Sequence, residues 1–317
     1  MARTNWRSVG HDRLVRLMPD PANCLQTPSR DALGAALTYL LFDRAANVLV
    51  VNGGDGTIHH VLNECVRVVE RARAATGLAL PLPRFLFVNG GGMNMLARVF
   101  LSRGHPVRTL GRFMGSIRRS RVGSLRTRDV PLLAVREGEA GPVRLGYIFG
   151  SEIVLNALTL YERFGQGYRG LARFIAELAG GYVLNTAIWQ QYGHLMDPPT
   201  TPLVVDGVAH DAYTAVVATT VPLQLAKGAI SAVRRTAAPG EMNVVAVVTT
   251  DKAAIIRQLP QLMWGSSAAG VQRLHAVREL RLAGPYSLDG ERFDRLEADE
   301  PLVVTGSQHV LRGIWLG

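Results

Sequence analysis

The chain has 317 residues, 48% hydrophobic and 19% charged, which is enough apolar material for one large or two ordinary domains and too much for a disordered chain. The formal net charge is +10, and arginine carries nearly all of it because lysine occurs only at Lys227 and Lys252, so attention turns to anionic partners such as phosphate or an acidic membrane surface. No apolar run approaches the roughly 20 residues that cross a bilayer, the first residues carry scattered charge in place of an apolar leader, and Cys24 and Cys65 have no metal or redox spacing, which makes a cytosolic compartment the simplest reading.

In chain order, residues 22–29 predict a short strand, with Ser29 placed to cap a helix from Arg30 to Phe42. Ala46–Val51 is an unbroken β-prone run of the kind that parallel sheets bury on both faces. After it come glycines, then Ile58, Val61, Leu62, Cys65 and Val69 at helical spacing. The theme repeats with Arg84–Val88, the glycines of NGGG, and a helix from about Met93 to Leu101. Strand, helix, strand, helix in this order imply a parallel α/β sheet.

The densest basic cluster follows, at Arg112, Arg118, Arg119, Arg121, Arg126 and Arg128. Phe113 is its one interleaved aromatic, too few for a nucleic-acid groove. Beyond it, short β runs dominate at Val130–Val135, Val143–Phe149, Tyr182–Tyr192, Leu203–Val208, Thr214–Val221 and Asn243–Thr250. Asp206-Gly207, Pro239-Gly240 and Asp289-Gly290 mark turns between them. Helices are expected at Ile153–Phe164, Gly170–Leu178 and Lys252–Met263. Residues 1–122 thus read as an α/β domain and 123–317 as a mostly antiparallel β-sandwich domain.

Two glycine turns carry the chemistry. In Gly53-Gly54-Asp55-Gly56-Thr57 a buried strand stops, the chain turns, and a helix begins. Glycines there let backbone N–H groups approach an anion, and the helix N-terminus adds partial positive charge. Asp55 is the odd member, because a carboxylate repels a phosphate unless a cation lies between them. A tight turn with Asp55 as a simple cap is the plain alternative. The Walker A and dinucleotide-binding patterns are both absent.

The stretch GGDGT after an apolar strand resembles the signature of the diacylglycerol kinase catalytic-domain family, which includes sphingosine and ceramide kinases; NAD kinases share it. NGGGMNMLAR, with Asn94, Ala97 and Arg98 in step, is similar to the family's second glycine turn. FGSEI (Phe149–Ile153) resembles its lipid-facing stretch, and YSLDGERFD (Tyr286–Asp294) its Asp-Gly-Glu segment. The resemblance implies a soluble, bacterial-style lipid kinase. Its N-terminal α/β domain, of NAD kinase and diacylglycerol kinase type, would hold ATP, and its C-terminal β-sandwich would take the lipid.

By the same resemblance, Thr27, Gly53, Gly54, Asp55, Gly56, Thr57, Ile58, His59, Gly91, Gly92 and Asn94 would bind the nucleotide. Asp55 would also position Mg²⁺, Glu291 would be the general base, and Glu152 would touch the substrate. The partner would be a lipid hydroxyl at an anionic membrane surface, reached by peripheral contact at the inner membrane, with a homodimer left open. Departures are specific. Gly92 stands for a threonine, Met95 for an aspartate and His59 for an asparagine, and Pro239 stands where the family carries a metal-binding aspartate. A non-catalytic lipid- or nucleotide-binding relative and an NAD kinase-like enzyme are therefore the alternative readings.

Overall fold

The computed structural model describes residues 11–90, 95–100, 104–119, 125–156, 173, 176–177, 180–199, 201–225, 230–264, 270–294 and 301–315. Gly91, Gly92 and Asn94 lie outside the described residues, as do most of the helices expected at 153–164 and 170–178. Contacts divide the chain into two units, Met1–Val130 with Leu311–Gly317, and Pro131–Val310. This differs from the expected division at 122/123 chiefly in the C-terminal segment, which returns to the first unit.

The first unit contains α1 (His11–Val15), α2 (Asp31–Thr38, prolonged by a π turn at Tyr39–Asp43), β1 (Val48–Gly53), α3 (Asp55–Thr76), β2 (Arg84–Asn89), α4 (Met95–Val99) and α5 (Pro106–Arg118). β1 and β2 are parallel and in step from Val48 opposite Arg84 to Gly53 opposite Asn89. Alternation sends Val48, Val50 and Leu86 to one face, where they meet Leu110, Phe113 and Met114 of α5 and Leu14 of α1. Leu49, Val51, Phe85 and Phe87, which alternate with them, are also buried. Burial on both faces explains why these strands read as continuous apolar runs. α3 buries Ile58, Leu62, Cys65, Val66 and Val69 and ends at Gly77, whose φ of 70° gives a left-handed cap.

The second unit is built from β3 (Arg126–Glu137), β4 (Val143–Gly146), β5 (Ile148–Glu152), α6 (Ala187–Tyr192), β6 (Leu203–Val205), β7 (Val208–His210), β8 (Ala215–Thr219), β9 (Leu223–Leu225), β10 (Ile230–Val233), β11 (Met242–Val247), α7 (Lys252–Trp264), β12 (Val271–Val277), β13 (Glu279–Leu282), β14 (Tyr286–Leu288), β15 (Glu291–Phe293) and β16 (Leu302–Trp315). β3 and β16 begin or end in the first unit. One sheet runs β12-β11-β8-β5-β14-β15, and β16, β13, β6 and β7 belong to another, which β3 joins through β16. Leu133, Leu203, Leu280 and Val304 of this second sheet share one core with Phe149, Val216, Val244 and Tyr286 of the first. The expected antiparallel sandwich is present, and the Asp206-Gly207 and Asp289-Gly290 turns stand between paired strands with positive φ at all four residues.

Three local expectations are corrected. Residues 22–29 form no strand: Pro21–Asn23 is a 3₁₀ turn, capped by Asp20, whose carboxylate accepts from the Ala22 N–H. Tyr182–Tyr192 is helical, because Thr186 caps α6 through the Trp189 N–H. The β run Val143–Phe149 is two strands in different sheets, β4 on β3 and β5 on β8. The break at Tyr147 has a cause given below.

In the first unit, the end of β16 lies parallel to β2, with Gly313 beside Phe85. A Cβ on Gly313 would overlap the ring of Phe100, which is itself fully buried against Phe87. Gly313→Ala should therefore lower stability by about 1–3 kcal/mol in chemical denaturation. An unchanged midpoint would show that the Phe100 ring has room to move.

Candidate functional site

In the first unit the site is the carboxyl edge of β1 and β2. Because the strands are in step, the chain leaves both at the same level, with Gly90 close against Gly53. Gly54 is the N-cap of α3 in extended conformation (φ −85°, ψ −176°), so Asp55, Gly56 and Thr57 form the first helical turn. Their N–H groups are among those a helix leaves without internal partners. A Cβ on Gly53 would collide with the Thr57 side chain, and one on Gly90 would meet the Asn52 Oδ1 and the Gly53 backbone at 3.0 Å. Gly53 is thus required by the first turn of its own helix, and Gly90 by its close approach to the end of β1.

Asp55 ties the two turns together. Its Oδ1 accepts the Leu96 N–H at 3.3 Å, in the first turn of α4. It remains partly accessible, as do Gly53, Gly54 and Gly56, while Thr57 is exposed. Ile58 and His59 are buried, so their side chains serve the core of this unit. Thr27 is exposed in the loop that leads into α2. A cleft of about 410 Å³ opens between α2 and α3, lined by Arg30, Asp31, Gly34, His60, Asn63 and Arg67. Its α3 residues follow at helical spacing behind the glycine turn. That spacing is visible in the sequence, but α2 as the opposite wall is not.

The second unit holds the remaining acids. The register sets Glu291 opposite Leu288, and Leu288 opposite Phe149, so Glu291 lies on the inner face of the edge strand β15. It is partly buried there. Tyr286 and Phe293 stack at 5.0 Å behind it, and Arg144 lies over the Phe293 ring while pairing with Glu137 at 2.7 Å. Tyr286 donates to the same Glu137 at 2.7 Å.

Asp289, expected as the first residue of an Asp-Gly turn, also has a structural role. It is 5% exposed, and its Oδ1 accepts two backbone N–H groups, from Tyr147 at 2.8 Å and Ile148 at 3.0 Å. Those N–H groups are therefore unavailable to a strand ladder, which is why β4 and β5 part at Tyr147. The Asp-Gly pair after the Tyr286-Ser287-Leu288 strand signals the turn in the sequence but not the distant N–H groups that the carboxylate binds.

Glu152 closes β5 with φ 57°, left-handed backbone that a glutamate adopts only where surroundings impose it. Burial pushes its carboxyl up from 4.5, against the hydrogen bond that Ser151 Oγ donates at 3.1 Å. Burial, with the Glu152 charge, also pushes up the phenol of Tyr213, which is fully buried. Glu152 and Glu291 are not brought together. Two strand steps across and three residues along separate their Cα atoms by about 14 Å.

Among the described residues no group of three His, Cys, Asp or Glu side chains gathers to hold a metal. The Pro239-Gly240 turn supplies no carboxylate and packs against β16, with the Gly240 N–H donating to Ser307 O at 3.0 Å. At the glycine turn Asp55 is a single carboxylate, which fits a Mg²⁺ whose other ligands come from elsewhere. The donors at the Pro239 turn do not fit a cage made only by protein.

A glycine-rich α/β unit with parallel strands and an antiparallel sandwich make up a fold shared with solved diacylglycerol kinase structures. A diacylglycerol kinase of Bacillus anthracis str. Sterne matches with a TM-score of 0.54 and 12% identity, over 98% of this chain and 89% of that one. Two structures of a candidate diacylglycerol kinase from the same organism give TM-scores of 0.58, at 12% and 13% identity, over 96% of this chain and 89% of theirs. At such identity the likeness establishes the fold. No family profile and no curated protein matches the sequence.

Two outcomes test the second unit. Asp289→Ala leaves two buried N–H groups without an acceptor and should cost about 2–4 kcal/mol, whereas Asp289→Asn, which keeps an oxygen, should cost clearly less. Equal losses in urea melts would contradict the clamp. For Glu152 the folded state binds the proton more tightly than the unfolded chain. Its contribution is complete below the ordinary 4.5 and is lost as pH rises through the raised folded value. Glu152→Gln should therefore flatten that decline in stability and be the more stable form at pH 7. A variant with the wild-type pH profile would show that the buried carboxyl carries no such burden.

Proposed function

We propose that the protein is a kinase that transfers the γ-phosphate of ATP to a lipid hydroxyl. The observation that carries this reading is the pair of in-step strand ends, with Gly90 against Gly53 and the Asp55 carboxylate bound to the Leu96 N–H. The first turn of α3 presents backbone N–H groups to the phosphates, and Thr57 adds an exposed hydroxyl there. Asp55 holds α4 with one oxygen and faces the phosphates as the turn's carboxylate. Mg²⁺ bound with the nucleotide would neutralise charge on the transferring group.

Glu291 accepts the proton of the acceptor hydroxyl. Its partial burial, on a hairpin fixed by Asp289 and by the Tyr286–Glu137–Arg144 group, suits a base that must keep one orientation. Glu152, at its strained strand end, contacts the lipid. The acceptor belongs to the class of diacylglycerols, sphingoid bases and related lipid alcohols. The enzyme meets it at an anionic membrane surface, which its net charge of +10 favours.

The test is transfer of labelled phosphate from ATP to a panel of lipid alcohols, with NAD as a control acceptor. Asp55→Asn keeps an acceptor oxygen for the Leu96 N–H, so it should fold normally. It should lose on the order of a hundredfold or more of kcat/KM. Lipid turnover undiminished in this variant would remove the role given to Asp55. Transfer to NAD and to no lipid would overturn the acceptor.

A further inference from the structure

Large apolar side chains exposed singly are ordinary, as Leu78 and Val208 are here at 60% and 61%. The corner at 180–186 is different. A helical turn at 180–184 carries Tyr182, Val183 and Leu184 in succession, with Val183 and Leu184 each 75% exposed. The chain then reverses through Asn185, in left-handed conformation at φ 49°, and Thr186 caps α6.

The corner is ordered. The Thr186 N–H donates to Gly181 O at 3.2 Å, and Gln190 Nε2 donates to Asn185 O at 3.3 Å. A Cβ on Gly181 would come within 2.9 Å of Thr186 Oγ1 and 3.2 Å of Trp189 Cβ, so glycine permits the tight return. Tyr182 and Trp189 form an edge-to-face pair at 5.0 Å beneath the tip. The Lys252 ammonium lies 5.8 Å from the Trp189 ring.

The gradient is that of a bilayer boundary. Bare aliphatic groups stand at the tip, and rings with polar handles lie behind them, where the Lys252 ammonium is paired with Asp197. Leu178 to Gly193 contains no Asp, Glu, Lys or Arg, in a chain whose net charge is +10. No carboxylate within that stretch would be driven against anionic headgroups.

We propose that this corner is the element by which the protein enters the surface of an anionic lipid bilayer. Val183 and Leu184 reach the acyl region, and Tyr182 and Trp189 rest at headgroup level. The overall positive charge brings the protein to the surface, and the apolar tip holds it there. The proposal deepens the lipid-substrate reading by naming the docking element, and it does not depend on the roles given to Asp55 or Glu291.

The experiment is co-sedimentation of the full chain with vesicles of phosphatidylglycerol and phosphatidylcholine, and with phosphatidylcholine alone, for wild type and V183D/L184D. Both positions are exposed, so the thermal midpoint of the variant should match wild type and certify its fold. Wild type should bind the phosphatidylglycerol vesicles. The variant should bind about tenfold more weakly or worse, since two inserted aliphatic side chains are lost. A residual wild-type advantage in high salt is expected, because insertion is not screened.

Equal binding by the two proteins would overturn the proposal, as would absence of wild-type binding. A wild-type dimer that the variant converts to monomer in light scattering would overturn it too, by assigning the tip to a second copy. Phosphorylation of a short-chain acceptor in free solution should be the same for both proteins. Absence of that activity in both would count against the kinase reading and leave the vesicle result standing by itself.

Discussion

Everything proposed for the first unit depends on the parallel, in-step pairing of β1 with β2. Six consecutive residue pairs, Val48–Arg84 to Gly53–Asn89, end at the same level. A shift of one residue would turn Val50 and Leu86 toward opposite faces and separate the two glycine turns. With the observed register, Gly90 comes against Asn52 and Gly53, and the Asp55 carboxylate reaches the Leu96 N–H. The turn therefore has a built shape before any ligand arrives. A preorganised set of N–H groups at a helix start is what phosphate recognition requires.

A different constraint organises the second unit. Asp289, buried at the tip of the β14–β15 hairpin, takes the N–H groups of Tyr147 and Ile148 and divides what would be one strand between two sheets. The same contact fixes the hairpin from which Glu291 extends. A carboxylate that stabilises the fold thus stands two residues from the one proposed as the base. Glu152 occupies a third environment, strained and half-buried at the end of β5.

Much of this was legible in the sequence where one local rule decided the outcome. Apolar continuity marked β1 and β2, the 3.6-residue spacing marked α3, and the Asp-Gly pairs marked turns. Reading failed where a distant partner decided. Tyr182–Tyr192 has β-prone composition, yet a cap at Thr186 and the Tyr182–Trp189 ring contact make it helical. The division at Tyr147 depends on an acid 142 residues away. His59 sits at a motif position, but its burial depends on which face of α3 meets the core. The roles of Asp55, Glu152 and Glu291 came from motif resemblance, and the fold likeness supports the framework in which they are placed.

The central claim is that the paired glycine turns hold nucleotide phosphates. Isothermal titration of the purified chain with ATP, in the presence and absence of Mg²⁺, tests it most directly. The account predicts saturable binding of one nucleotide per chain, strengthened by Mg²⁺ and competed by ADP. A flat titration under both conditions, from protein shown to be folded, would contradict it and leave a kinase-like fold that holds no nucleotide.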